Sequence, residues 1–270
     1  MPQGWPDSVV LGVENLLAWQ KLFRENKVTI KFGTGVVGMK KSLGDRMKGY
    51  ENVNRNYLMK RTPVVIRLDG KAFHTYTKNC DKPFDQLLHE VRSNTLRYLC
   101  ENIQGCIVGY SQSDEISLII KDWQTFTTSA WFDYNIQKLA SVTASMCTMF
   151  WNNQAGIFKY WDKLTCGAVF DSRVFNLPKE EVVNYLVWRQ QDWERNSIQM
   201  LAQSLYSHKE LQGISCKDLV TKIEEEFGIV WGNLEPWCKQ GEVWIDGVLG
   251  SAIIKDSRKS LEALINLGEA

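Results

Sequence analysis

The chain has 270 residues, a length for one large domain or two small ones. With 44% hydrophobic and 23% charged residues, 19 Gly and 6 Pro, its composition excludes a collagen-like, linker-like or disordered protein. The 32 basic and 31 acidic residues nearly cancel, so total charge selects no partner. Glu14 interrupts the apolar stretch from Val9 to Trp19, and the first thirty residues lack the basic start, apolar stretch and cleavage site of a secretion signal. A soluble protein with no membrane partner is expected, with the cytoplasm as its compartment. Seven scattered cysteines contain no Cys-x-x-Cys pair, and the three histidines (His74, His89, His208) lie far apart. Any metal is therefore expected on carboxylates.

In chain order, residues 1–38 read as an N-terminal extension of uncertain order, with an amphipathic stretch from Glu14 to Phe23 and a second possible start at Met39. From Met39 to Lys78 ten basic residues face three acidic ones, a stretch that suits an anionic partner. Pro63 to Gly70 is a β-branched run that ends in Asp69 and Gly70, which predicts a strand with an acid at its exit. Phe84, Leu88, Val91 and Leu99 recur at helical spacing, with Asp85 in the first turn, which predicts a helix over about 85–101. Cys106–Tyr110 and Glu115–Lys121 read as an antiparallel hairpin whose turn, Ser111 to Asp114, carries a second acid. Leu139, Val142, Met146 and Met149 predict a helix over about 128–151, and Gly167–Phe175 a fourth strand.

The order β-α-β-β-α-β predicts an α+β, ferredoxin-like antiparallel sheet with helices, in which the first and third strands are neighbours. Asp69 and Asp114 should then meet. A catalytic domain over 39–177, a helical C-terminal module over 178–240 and a tail over 241–270 are expected, since strand signals stop at Pro178. The tail holds a helix candidate at Arg258–Leu267. Trp131, Trp151, Trp188 and Trp193 fall on predicted helices and are read as core, and His89 is read as an ordinary helix residue.

Two carboxylates at strand ends suit Mg²⁺, a hard cation that prefers oxygen ligands, and two such ions can clamp both oxygens of a nucleotidyl transfer. Gly70 allows close approach of a ligand. The amides from Gly70 to His74 are expected to face a triphosphate whose charge Lys71, Lys82 or His74 offsets. On spacing alone, either acid also fits a solvated turn residue.

The strings RLDGKAFH (67–74), KPFD (82–85), GYSQSDEISLI (109–119), FDSR (170–173) and WRQQD (188–192) together resemble the tRNA(His) guanylyltransferase superfamily, over about residues 39–210. The resemblance implies a polymerase-like palm that adds nucleotides to the 5′ end of tRNA in the 3′-to-5′ direction. It implies Asp69 and Asp114 as ligands of two Mg²⁺ ions, joined by the Gly70 carbonyl. It also implies a nucleotide-binding set of Asp69, Gly70, Lys71, Ala72, Phe73, His74, Lys82, Ser113 and Asp114, with Glu115 completing the catalytic acids and holding their geometry. Lys138, Arg173, Arg189 and Asn196 are candidate RNA contacts, the last two equally readable as interhelical polar links. The helix after WRQQD reads WERNSIQMLAQ, with Glu194 where the histidine of a HINxxYN-like motif would stand and Asn196 still matching. This is more similar to the bacterial and phage tRNA(His) guanylyltransferase-like proteins, which repair 5′-truncated tRNAs by templated addition. Expected substrates are therefore tRNA, ATP, and GTP or other nucleoside triphosphates, and the expected assembly is a homotetramer. Two alternatives stay open: a palm-derived tRNA-binding module without catalysis, and another palm-fold nucleotidyltransferase.

Overall fold

The computed structural model describes residues 42–158, 164 and 166–266; the expected extension over 1–38, Lys40 and Lys41 lie outside them. The chain divides into two compact units after Glu51. In the first, a helix α1 (Leu43–Val53) starts at a reciprocal cap: Ser42 Oγ accepts from the Asp45 amide at 3.1 Å, and the Asp45 carboxylate accepts from the Ser42 amide and hydroxyl.

The second unit is built on one antiparallel sheet. Its strands are β1 (Val64–Gly70), β2 (Cys106–Gln112), β3 (Glu115–Ile120), β4 (Phe170–Asn176), β5 (Glu242–Ile245) and β6 (Val248–Gly250), in the spatial order β4-β1-β3-β2-β5-β6. The helices are α2 (Phe73–Tyr76), α3 (Gln86–Asn102), α4 (Ile136–Ile157), α5 (Lys179–Leu205), α6 (Cys216–Phe227), α7 (Pro236–Gln240) and α8 (Arg258–Asn266). Strand alternation sends Val64, Ile66, Leu68, Ile116, Leu118 and Ile120 to one face, where they pack with Val91, Leu96, Leu139 and Trp151 of α3 and α4. Val65, Val108 and Ile119 go to the opposite face, against Val182, Val183 and Leu186 of α5 and Leu261 and Ile265 of α8. Helices thus cover both faces, and β1 and β3 are buried nearly throughout. A smaller cluster of Leu201, Ala202, Leu219 and Ile223 joins the end of α5 to α6.

Two expectations are corrected. Strands do not stop at Pro178: β5 pairs with β2, Tyr110 opposite Val243, so the segment read as a tail extends the sheet. The helix read over 128–151 begins only at Ile136, because Phe132, Asp133 and Tyr134 take left-handed φ of 49–57° in a preceding 3-10 turn. Asn135 then caps α4, accepting from the Lys138 amide at 3.0 Å.

Candidate active site

The sheet register sets the acids. β1 pairs Asp69 with Glu115 of β3 on one side and with Asp171 of β4 on the other. Between β2 and β3 the turn is only Ser113 and Asp114, with Ser113 at φ 45°, a left-handed conformation that costs a non-glycine residue energy. The Gly70 amide donates to the Asp114 carbonyl at 3.1 Å, tying the end of β1 to the hairpin. Asp69 and Asp114 therefore meet, as expected. At Gly70 a Cβ would overlap the Phe73 ring and approach Asp114 Cβ to 2.9 Å, so the crossing admits only glycine.

The two acids differ in surroundings. Asp69 Oδ2 lies 3.6 Å from both the Arg67 and the Arg173 guanidinium. The Asp114 carboxyl has no cation partner among the described residues. Its burial, with smaller contributions from the Asp69 and Glu115 charges, pushes its pKa up to about 6, against its own amide and the Ser113 hydroxyl, which lower it. Glu115 is buried between Arg67 at 2.7 Å and Arg189 at 2.8 Å. Ser117 links the same carboxylate to the Tyr185 hydroxyl, 3.4 Å and 2.8 Å away respectively. With both guanidiniums on it, Glu115 suits the geometry-holding part of its expected role rather than proton transfer.

Two cavities meet at the hairpin turn. The first, about 560 Å³, runs from Ala72, Phe73, His74, Ser113 and Asp114 past Lys82 to His89, Arg92 and Trp237. The second, about 400 Å³, holds Arg67, Asp69, Gln112, Glu115, Arg189, Asp192, Asn196 and Gln203. Ser113, Asp114 and Trp193 line both.

Of the expected nucleotide set, Ala72, His74 and Ser113 are exposed on the first cavity, and Ala72 has left-handed φ of 53°. Lys82 is exposed there too, its ammonium 3.2 Å from the Thr77 carbonyl. The expectation for the backbone is corrected: the Gly70 and Lys71 amides donate to Asp114 and Val169, so two of the five amides from Gly70 to His74 are already taken. Lys71 is exposed and lines neither cavity, and the Phe73 ring packs among Tyr76, Trp151 and Phe170.

Among the expected RNA contacts, Arg173 is 57% exposed beside Asp69 and Asp171, Lys138 is exposed in the first turn of α4, and Asn196 lines the second cavity. Arg189 is corrected. It is only 3% exposed and committed to Glu115 of β3 and Asp192 of its own helix, a helix-to-strand link rather than either an RNA contact or an interhelical link. Trp151 and Trp193 are buried as expected, whereas Trp188 is 52% exposed and stacks under the Arg189 guanidinium, 3.6 Å from its ring centroid. Sequence reasoning passed over Arg67 and Asp171, although Arg67 stands two positions from Asp69, on the same side of a strand. It also passed over Gln112, whose buried side-chain oxygen has no partner.

Comparison with known proteins agrees with this geometry. A family profile described as tRNAHis guanylyltransferase matches residues 44–178, half of the chain. A solved bacterial tRNA(HIS) guanylyltransferase-like protein in complex with ATP superposes with a TM-score of 0.80 at 46% identity, over 84% of this chain and 100% of that one. A second bacterial structure, in complex with GTP, gives 0.70 at 40% identity over the same shares. The tRNA(His) guanylyltransferase of Schizosaccharomyces pombe is 29% identical over 77% of this chain and 81% of its own. The sheet that brings the two acids together, the five separated motifs and these likenesses agree: the chain belongs to the tRNA(His) guanylyltransferase family of nucleotidyltransferases.

Proposed function

We propose that this protein adds nucleotides to the 5′ end of tRNA in the 3′-to-5′ direction, directed by the opposite strand, either to repair 5′-truncated tRNAs or to guanylylate tRNA(His). The observation that carries this reading is the placement of Asp114 on the wall shared by two cavities, with Asp69 beside it. A group transfer needs two substrates on either side of one reacting phosphorus, and this arrangement offers each its own space. In the first step an oxygen of the RNA 5′-monophosphate attacks the α-phosphorus of ATP and pyrophosphate leaves. In the second the 3′-hydroxyl of an incoming nucleoside triphosphate attacks the activated 5′-phosphate and AMP leaves.

The donor set fits Mg²⁺. Asp69, Asp114 and the Gly70 carbonyl would hold it, and an Asp114 carboxyl that is half-buried beside another acid and lacks a cation partner among the described residues gains from a dication. Among the described residues no three His, Cys, Asp or Glu side chains are grouped for a metal, so backbone, phosphate and water oxygens would complete the shell. Bound there, Mg²⁺ supplies Lewis-acid stabilisation of phosphoryl charge. The protein's own part is to fix both acids through β1 and the hairpin, to clamp Glu115 between Arg67 and Arg189, and to set Arg173 beside Asp69 for an RNA phosphate. Ala72 to His74 and Lys82 receive the triphosphate.

The resemblance further supports a homotetramer, which light scattering of the intact chain would read as four times the chain mass. The central test is incorporation of labelled nucleotides, with ATP and Mg²⁺, onto 5′-monophosphorylated tRNAs. Extension of several truncated species is the expected result. Guanosine addition to tRNA(His) alone would select the specific guanylyltransferase, and no incorporation on any tRNA would overturn the reading.

A further inference from the structure

Trp188, on α5, lines neither cavity and is 52% exposed, yet its ring is held in place. The Arg189 guanidinium covers one face, 3.6 Å from the ring centroid. That guanidinium is itself fixed, since Glu115 lies 2.8 Å from its Nη1 and Asp192 3.3 Å from its Nη2. Tyr185 meets the indole edge-on at 6.0 Å, and the Tyr185 hydroxyl is anchored to Ser117 of β3 at 2.8 Å. The exposure of Trp188 therefore belongs to its second face and outer edge.

A lone exposed indole needs no function. What sets this one apart is that buried ion pairs immobilise it from behind, so a ligand that stacked on the open face would find it already ordered. Its surroundings point to a nucleic acid. Phe175 packs on Tyr185 at 5.9 Å and stands two positions after Arg173 on the same side of β4. The row Phe175, Tyr185, Trp188 thus runs beside a guanidinium that is 57% exposed and 3.6 Å from Asp69, along the edge strand of the sheet.

We propose that Trp188 is a stacking platform for an unpaired nucleotide of the RNA 3′ strand, with Arg173 on a neighbouring phosphate. An aromatic face beside a cation holds single strands without reading sequence, because every base has a π-face. A 5′ end that lacks nucleotides leaves the opposite strand without partners, and that strand must be held while it directs addition. The incoming nucleotide stacks on the 5′-terminal base, which leaves a platform on the β4 side of α5 for the unpaired strand. The inference rests on the proposed addition to tRNA and names how its template strand is gripped.

The test compares two 5′-truncated, 5′-monophosphorylated tRNAs in filter binding to the intact protein, one with its 3′ strand unpaired and one trimmed to a blunt acceptor end. The unaltered protein is expected to bind the overhanging RNA about tenfold more tightly. Trp188→Leu should abolish that difference by weakening the overhanging RNA alone, and by the same factor at low and at moderate salt, because stacking releases no counterions. Trp188→Phe restores a ring and should keep most of the difference. 2-Aminopurine at the first unpaired position should be quenched on binding to the unaltered protein and stay bright with Trp188→Leu. Equal affinity of the unaltered protein for the two RNAs would overturn the inference, as would a Trp188→Leu protein that weakens both alike or neither. So would a fall in particle mass for Trp188→Leu in light scattering, which would make Trp188 a contact between copies of this chain. If Trp188→Leu does not fold, the affinity ratio and the quenching in the unaltered protein decide, and the absence of either overturns the inference. Failure of both RNAs to bind would instead remove the tRNA reading, and this inference with it.

Discussion

In the proposed reaction Asp114 serves the chemistry at the expense of comfort in the fold. Its carboxyl prefers the neutral form up to about pH 6 because burial and Asp69 disfavour a second charge. An amide in its place relieves that repulsion, so Asp114→Asn is expected to melt at the same temperature as the parent or higher. The same change should lower nucleotide addition by at least about 1,000-fold, because a ligand of the phosphoryl-stabilising ion is gone. Calorimetry beside the incorporation assay checks both halves, and near-normal addition would remove Asp114 from the metal site. His89 gives a separate signature with pH. Its pKa falls from about 6.5 in the unfolded chain to about 4, because burial first and Arg92 second disfavour the imidazolium. Between those values the unfolded state binds more protons, so this group's contribution is complete above pH 6.5 and is lost as pH falls towards 4, by up to about 3 kcal/mol. Melting curves between pH 7 and 4 should show a smaller loss for His89→Gln than for the parent.

The β1 to α2 connection is where an element depends on one missing side chain. Gly70→Ala would drive a methyl into Phe73 and towards Asp114, displacing a ring that packs on Tyr76, Trp151 and Phe170 at 4.7–5.4 Å. A destabilisation of about 1–3 kcal/mol is expected by denaturant titration, together with loss of addition. How far elements were legible follows from their length and chemistry. Val64 to Gly70 was readable because a β-branched run ends in an acid and a glycine, and α3 because Leu88, Val91 and Leu99 keep helical spacing behind Asp85, which caps it by accepting from the Leu88 amide at 3.0 Å. β5 and β6 have four and three residues, too few for a period to show, and the pairing of β5 with β2 is a long-range contact. The start of α4 was misplaced because left-handed residues, invisible to hydrophobic spacing, precede Asn135. At the site the two acids were legible from the motifs they occupy. The partners of Arg189 and of His89 were not, since a charged helix residue looks the same whether it meets solvent or a buried carboxylate.

On the scale of the whole molecule, near-zero total charge leaves few exposed cations among the proposed RNA contacts. Arg173 is exposed beside Asp69 and Lys138 is exposed at the start of α4, while Arg67, Arg92 and Arg189 are spent on internal carboxylates. Binding of tRNA should therefore rest on few phosphate contacts and show a moderate salt dependence. A loss of roughly tenfold to a hundredfold between 50 and 200 mM salt is expected in filter binding, with a shallower slope for Arg173→Gln. A slope as steep as that of a protein with ten phosphate contacts would place the RNA surface elsewhere.

The pairing of β5 with β2 also fixes an order of events during synthesis. The hairpin that presents Asp114 is made early, but its outer edge is closed by a strand encoded about 130 residues later, as the bond from the Tyr110 hydroxyl to the Gln240 carbonyl records. On the ribosome the nascent sheet must wait with β2 as an open edge, which other strands can join. The acids are thus in hand before the strand that brings Glu242 beneath the first cavity, and a chain interrupted in between would carry the Asp114 turn on an unfinished and aggregation-prone sheet.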